Sequence, residues 1–149
     1  MSKRILWFDN DPANLIPFID ALKDEGHEVE VVENVTDAEH SLKNARYDLM
    51  IVDVMIPTKS ELEETRYKPE ETDLGYKTGL LFYIKLREVL ESAGTRIMVM
   101  TVRLDKAIMD EFIKAGLRPE SYATKYEMSD PTEFLAKIES VLAAPPAII

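Results

Sequence analysis

Five short apolar runs recur along the chain, and most of the stretches between them bring apolar residues back every three or four positions. The runs are Ile5-Leu6-Trp7-Phe8, Val29-Glu30-Val31-Val32, Leu49-Met50-Ile51-Val52, Ile97-Met98-Val99-Met100 and a weaker one from Ser121 to Thr124. Continuous apolar character, in place of strict alternation, predicts parallel strands covered on both faces. Between them, Leu15, Ile16, Ile19 and Leu22 mark a helix that Gly26 stops. Pro12 suits a first turn, but Pro17 does not suit a helix interior, so this helix starts late or is kinked.

Four more helices follow from the same spacing. Thr36 to Ala45 is a short one, with Thr36 as cap and Glu39 three residues on. Leu80 to Leu90 carries apolar residues at 80, 81, 84, 86, 89 and 90 and ends near Gly94. Asp105 to Ala115 ends at Gly116. After the cap Ser129-Asp130-Pro131, Phe134, Leu135, Ile138, Val141 and Leu142 form an apolar stripe. Strands alternating with helices imply right-handed crossovers and an α/β fold with a doubly wound five-stranded parallel sheet. Ligand sites in such sheets lie beyond the carboxyl ends of the strands.

One segment breaks this rhythm. Residues 58–78, TKSELEETRYKPEETDLGYKT, separate the third strand from its helix and hold six acids and four bases. Connections of this length are usually functional or mobile. Ser60 to Arg66 has the composition for a helical turn or two, and Leu62, Tyr67, Leu74 and Tyr76 are the few apolar anchors. The expected organisation is one domain over 1–143 with an inserted loop at 58–78, then an extended tail at 144–149 around Pro145-Pro146.

Composition narrows the function classes. The chain has 149 residues, 46% hydrophobic and 31% charged, enough for one core. The absence of cysteine excludes disulfides, thiolate metal sites and cysteine nucleophiles. A net charge of −10 without a basic patch argues against nucleic-acid binding. No apolar run is long enough for a membrane span and no signal peptide is read, so a cytoplasmic location is expected. His27 and His40 stand apart from other ligand-like residues and read as surface positions. Trp7, Met50, Met55, Met98 and Met100 read as core filling.

The strand ends carry the chemistry. Asp9, Asn10 and Asp11 close the first strand, Asp53 the third, Thr101 the fourth and Lys125 the fifth. Carboxylates meeting on one rim would raise one another's pKa values, a conflict that a hard cation such as Mg2+ removes. With a lysine and a hydroxyl beside it, one carboxylate could accept a phosphoryl group as an acyl phosphate.

The set ILWFDNDP, DLMIVDVMIP, VMTV and YATK, in this order, resembles the receiver domain of two-component response regulators, over Arg4 to Leu142 apart from the insertion. The resemblance implies a flavodoxin-like (βα)5 fold and a stand-alone receiver in a histidine-to-aspartate phosphorelay. It places the phosphoacceptor at Asp53. Mg2+ would be bound by Asp9, Asn10, Asp53 and the main-chain carbonyl of Met55. Thr101 and Lys125 would contact the phosphoryl group, and Tyr122, which on its own reads as a half-buried sheet aromatic, would change rotamer and move inward on activation. The implied partners are a histidine kinase or phosphotransfer protein and a downstream protein, without nucleic acid or membrane; a homodimer stays open. The chain would accept the group on its own aspartate and not turn over a substrate.

Four departures qualify this resemblance. The second acid of the metal pair is Asn10, an uncharged ligand, which implies weaker Mg2+ binding, while Asp11 reads as a helix cap before Pro12. Tyr126 stands where a proline usually follows the lysine. Val102, after the hydroxyl, would narrow the approach to Asp53. The insertion delays the next helix until Thr78-Gly79 rejoin the pattern. Two alternatives remain. One is a phosphorylation-independent pseudo-receiver, which Asn10, Val102 and Tyr126 favour. The other is a D-x-D phosphatase using Asp9 as nucleophile and Asp11 as general acid, against which stands Ala13, where such enzymes want threonine or valine.

Overall fold

The computed structural model describes residues 2–57, 61–73, 75–102, 105–125 and 130–144. Five strands form one sheet: β1 (Arg4–Phe8), β2 (Glu28–Val32), β3 (Leu49–Val52), β4 (Arg96–Thr101) and β5 (Tyr122–Thr124). All pairs are parallel and the order is β2-β1-β3-β4-β5. The predicted strands are these, three of them extended by a residue at one or both ends, while β5 starts one residue late because Ser121 belongs to a 3-10 turn.

The reason the runs are apolar throughout is visible in the parity of their side chains. Leu6, Phe8, Met50, Val52 and Val99 point to one face, under α2 (Val35–Asn44), α5 (Thr78–Ser92) and α6 (Lys106–Lys114). Ile5, Trp7, Leu49, Ile51, Met98 and Met100 point to the other, under α1 (Ile16–Asp24) and α7 (Pro131–Ala143). Each strand therefore feeds two cores. Trp7 stacks on Phe134 of α7 (5.5 Å between centroids), and Phe8 meets Phe82 of α5 edge-on (4.9 Å).

The helix ends refine the sequence reading. α1 starts late: residues Pro12–Leu15 form a 3-10 turn and Pro17 falls in the first turn of the helix, where its missing N–H costs nothing. Asp11 precedes that turn without capping it; its carboxylate accepts from Asn14 Nδ2. The cap of α2 is Asn34, whose side chain accepts from the Asp37 N–H at 2.8 Å, not Thr36. Asp130 caps α7 through the Thr132 N–H, as expected, while Ser129 lies outside the described residues. His27 is not a plain surface residue: its ring accepts from the Lys3 N–H at 3.1 Å. In α5 the apolar stripe is wider than its buried face, so Ile84 and Val89 are exposed.

The described residues of the insertion fold against the domain. It contains α3 (Glu61–Arg66) and the single turn α4 (Pro69–Thr72). Tyr67 is fully buried and donates to Glu39 of α2, which also pairs with Arg66. Glu63, 2% exposed, accepts from both the N–H and the hydroxyl of Thr36, in the first turn of α2. That carboxylate sits where the helix presents unsatisfied N–H groups. Of the other anchors read from the sequence, Leu62 and Tyr76 are exposed and Leu74 lies outside the described residues. Of the tail, Ala144 donates back into α7 and the rest lies outside the described residues.

Candidate functional site

The strand order reverses between β1 and β3, and the crevice at such a switch point is where an α/β sheet binds ligands. The ladder sets the side chains there. Phe8 is in register with Val52, and Val52 with Val99. The pairing continues one residue further: the Asp53 N–H donates to Phe8 O (2.9 Å) and the Asp9 N–H to Val32 O (3.0 Å). On the other side Thr101 pairs with Thr124, and the Lys125 N–H donates to Thr101 O (2.7 Å).

These constraints bring the distant residues together. Lys125 Nζ lies 2.7 Å from Asp9 Oδ2 and 3.6 Å from Asp53 Oδ2. The Thr101 hydroxyl, itself fully buried, hydrogen-bonds to the Asp53 carboxylate. Asp53 Oδ1 accepts from the Val54 N–H at 2.7 Å. Asp9 is completely buried, and its Oδ1 accepts from the Asp11 N–H at 2.8 Å. A cleft of about 330 Å3 opens above this cluster, lined among others by Asn10, Asp53, Met55, Val102 and Lys125. Met55 is half-buried in that cleft and is not core filling. Val102 stands exposed at the rim, as its position implied.

The charges do not balance. Among the described residues, two carboxylates share one ammonium away from solvent. Burial first, and then the charge of Asp9, push the Asp53 carboxyl from an ordinary 3.8 up to about 6; Lys125, the Val54 N–H and the Thr101 hydroxyl pull the other way. For Lys125, burial by itself lowers the ammonium pKa. The Asp53 charge and the Asp9 contact outweigh it, so the net direction is up.

A divalent ion would meet only hard oxygens here: the carboxylates of Asp9 and Asp53, the amide of Asn10 and the Met55 carbonyl. That chemistry suits Mg2+, and the surplus negative charge is what a dication relieves. Among the described residues no three acidic or histidine side chains gather, so neutral oxygens and water would complete the shell. The donor set fits Mg2+ with one charge fewer than a site with two acids at positions 9 and 10.

Two features of the site escaped the sequence reading. Gly75 and Tyr76, near the end of the insertion, line the cleft, so the inserted segment forms part of its wall. The Gly75 carbonyl accepts from the Ile56 N–H at 3.1 Å, which fixes that wall to the loop after β3. Gly79, in the first turn of α5, donates to Val54 O at 2.9 Å, and a Cβ there would fall 1.9 Å from the Asp53 carbonyl oxygen. Only glycine lets α5 approach this closely.

Tyr122 differs from the expectation of a half-buried sheet aromatic. It is 8% exposed and packs on Phe112 of α6 (5.7 Å), which packs in turn on Tyr83 of α5 (5.6 Å). Tyr126 lies outside the described residues.

Solved structures decide the architecture. A response regulator from Thermotoga maritima superposes with a TM-score of 0.71 at 19% identity, over 97% of this chain and all of that one. A CheY-like response regulator receiver domain protein from Methanospirillum hungatei JF-1 gives 0.71 at 22% identity, over 95% and 94%. The BeF3-activated N-terminal receiver domain of Klebsiella pneumoniae RstA gives 0.70 at 18% identity, over 95% and 99%. This chain has the receiver fold. No family model and no curated protein matches its sequence. The coverage shows that the receiver fold takes in nearly the whole chain. Among the described residues, no helix of this receiver fold is long and apolar enough to cross a membrane.

Proposed function

We infer that this chain is a signalling receiver in which Asp53 accepts a phosphoryl group from a phosphohistidine of a histidine kinase or phosphotransfer protein. The observation that carries this reading is the placement of one ammonium, Lys125 Nζ, against both Asp9 and Asp53 at the switch point of the sheet. With a pKa of about 6, Asp53 is ionised roughly ten to one at pH 7 and is available as a nucleophile. Its carboxylate oxygen attacks phosphorus, the P–N bond breaks, and the imidazole nitrogen leaves with the electron pair and takes up a proton. Lys125 and the Thr101 hydroxyl are positioned to take the added phosphoryl oxygens. When bound, Mg2+ on Asp9, Asp53, Asn10 and the Met55 carbonyl would supply the remaining charge neutralisation.

Output would be a protein contact on the face built from α6, β5 and α7. Because Tyr122 is already packed inside, its response would be a repacking in place of an inward swing. A pull on Thr101 would be passed to that face by repacking Tyr122 against Phe112. The absence of turnover follows from the same reading, since the group stays on the protein's own aspartate until hydrolysed.

A second reading, a pseudo-receiver that signals without phosphate, is favoured by one feature: the cleft is narrowed by Val102 and Tyr76 and flanked by Asn10 in place of an acid. The D-x-D phosphatase reading is disfavoured by the cleft itself, which Asp53 lines and the fully buried Asp9 does not. The test is incubation with acetyl phosphate or phosphoramidate and Mg2+, followed by intact-mass analysis and hydroxylamine cleavage. One phosphoryl group on the wild type and none on Asp53→Asn is expected. No aspartyl phosphate with any small donor or kinase would overturn the reading. Steady hydrolysis of a phosphate ester, lost in Asp9→Asn and kept in Asp53→Asn, would support the phosphatase.

A further inference from the structure

The surplus apolar width of α5 leads to a second concave site, at the opposite pole of the sheet from Asp53. Leu86, Val89 and Leu90 of α5 face Leu42 of α2 and Ala45 just past its end across a groove of about 410 Å3. Tyr47 and Thr95, which precede β3 and β4, close its end. The lining is mostly apolar, and the volume falls in the range of about 300–1,000 Å3 typical of small-molecule sites.

Its rim is basic, against the trend of a chain with net charge −10. Lys43, Arg46 and Arg66 border it with one acid, Glu39. Glu39 is already paired with Arg66, and among the described residues no acid pairs with Lys43 or Arg46. Both are exposed. Arg46 Nε donates to the Ala93 carbonyl at 2.7 Å, which holds the guanidinium at the edge of the groove. Glycine at 94 leaves room for it: a Cβ there would fall 2.9 Å from an Arg46 terminal nitrogen.

We propose that this groove binds a small amphipathic anion, an aliphatic or aryl carboxylate or sulfonate. Its apolar body lies between α2 and α5 and its charged head meets Lys43 and Arg46. The charge pattern selects this class. A neutral hydrocarbon would leave the two cations unused, an organic cation would be repelled by them, and a compact polar anion would gain nothing from the leucines and Val89. The inference does not depend on phosphoryl transfer at Asp53.

The test uses the full chain and 1-anilinonaphthalene-8-sulfonate, whose fluorescence rises in apolar sites. Saturable binding of one probe per chain is expected, displaced by decanoate but not by decyltrimethylammonium at submicellar concentration. Lys43→Gln combined with Arg46→Gln weakens binding about tenfold, as does Val89→Glu. Ile84→Glu, on an exposed apolar side chain of the same helix outside the groove, leaves it unchanged. Amide chemical shifts move at Leu42, Val89 and Ala93. Thermal melts check that each variant is folded, and Lys43→Gln alone, on an exposed side chain, serves if the others are not. Unsaturable binding, equal displacement by the organic cation, or affinity unaffected by Lys43→Gln and Arg46→Gln would overturn the proposal.

Discussion

Replacing Asp53 by asparagine should make the protein more stable, and the gain should depend on pH in a set way. The native carboxyl sits at about 6 against an ordinary 3.8, so the folded state holds its proton more tightly than the unfolded state. Stability linked to this group is therefore fully present below 3.8 and is lost as pH rises through 6. Asp53 is 4% exposed, so solvent screening does not erase the effect. The interval between the two values corresponds to about 3 kcal/mol, at about 1.4 kcal/mol per pH unit. An amide at this position removes the charge that opposes Asp9 and leaves Lys125 paired with Asp9 alone. Urea unfolding at pH 7.5 should show Asp53→Asn more stable by about 3 kcal/mol, narrowing to about half of that at pH 5. In a chain of this size the gain corresponds to a rise in Tm of about 6–12 °C. An Asp53→Asn variant less stable than wild type at pH 7.5, or a gain equal at both pH values, would refute the claim that two buried carboxylates compete for one ammonium.

Two further outcomes follow from the geometry. Asn10→Asp adds the missing charge beside the cleft. It should lower Tm in the absence of divalent ions and tighten Mg2+ binding about tenfold, read by the fluorescence of Trp7 just before Asp9 or by Mg2+-dependent melting. Glu63→Ala removes the acceptor for the first turn of α2 and should cost about 1–3 kcal/mol, with faster amide hydrogen exchange at Thr36 and across α3.

The sheet was legible because strands with two buried faces are written as unbroken apolar runs, and their ends follow directly. Asp9, Asp53, Thr101 and Lys125 were found for the same reason: each terminates or adjoins such a run, and parallel order brings the ends together. The insertion was not legible. Its composition is that of a solvated loop, and nothing local shows that Glu63 is buried; that depends on α2 presenting its N-terminus to it. The cap of α2 was misplaced by two residues. Thr36 and Asn34 can both cap, and the choice falls to Asn34 because Val35 must be helical to reach the core, where it is 1% exposed. Tyr122 and Met55 differ from expectation because burial at the last strand position and just past a strand end depends on which helices lie across them.

Gly79 has a mechanical consequence. Where nothing larger than hydrogen fits between the start of α5 and the Asp53 carbonyl, the main chain at that aspartate cannot retreat toward the helix. The α5 flank of this pole therefore serves as an anvil, against which any movement of the Asp53 backbone would have to push.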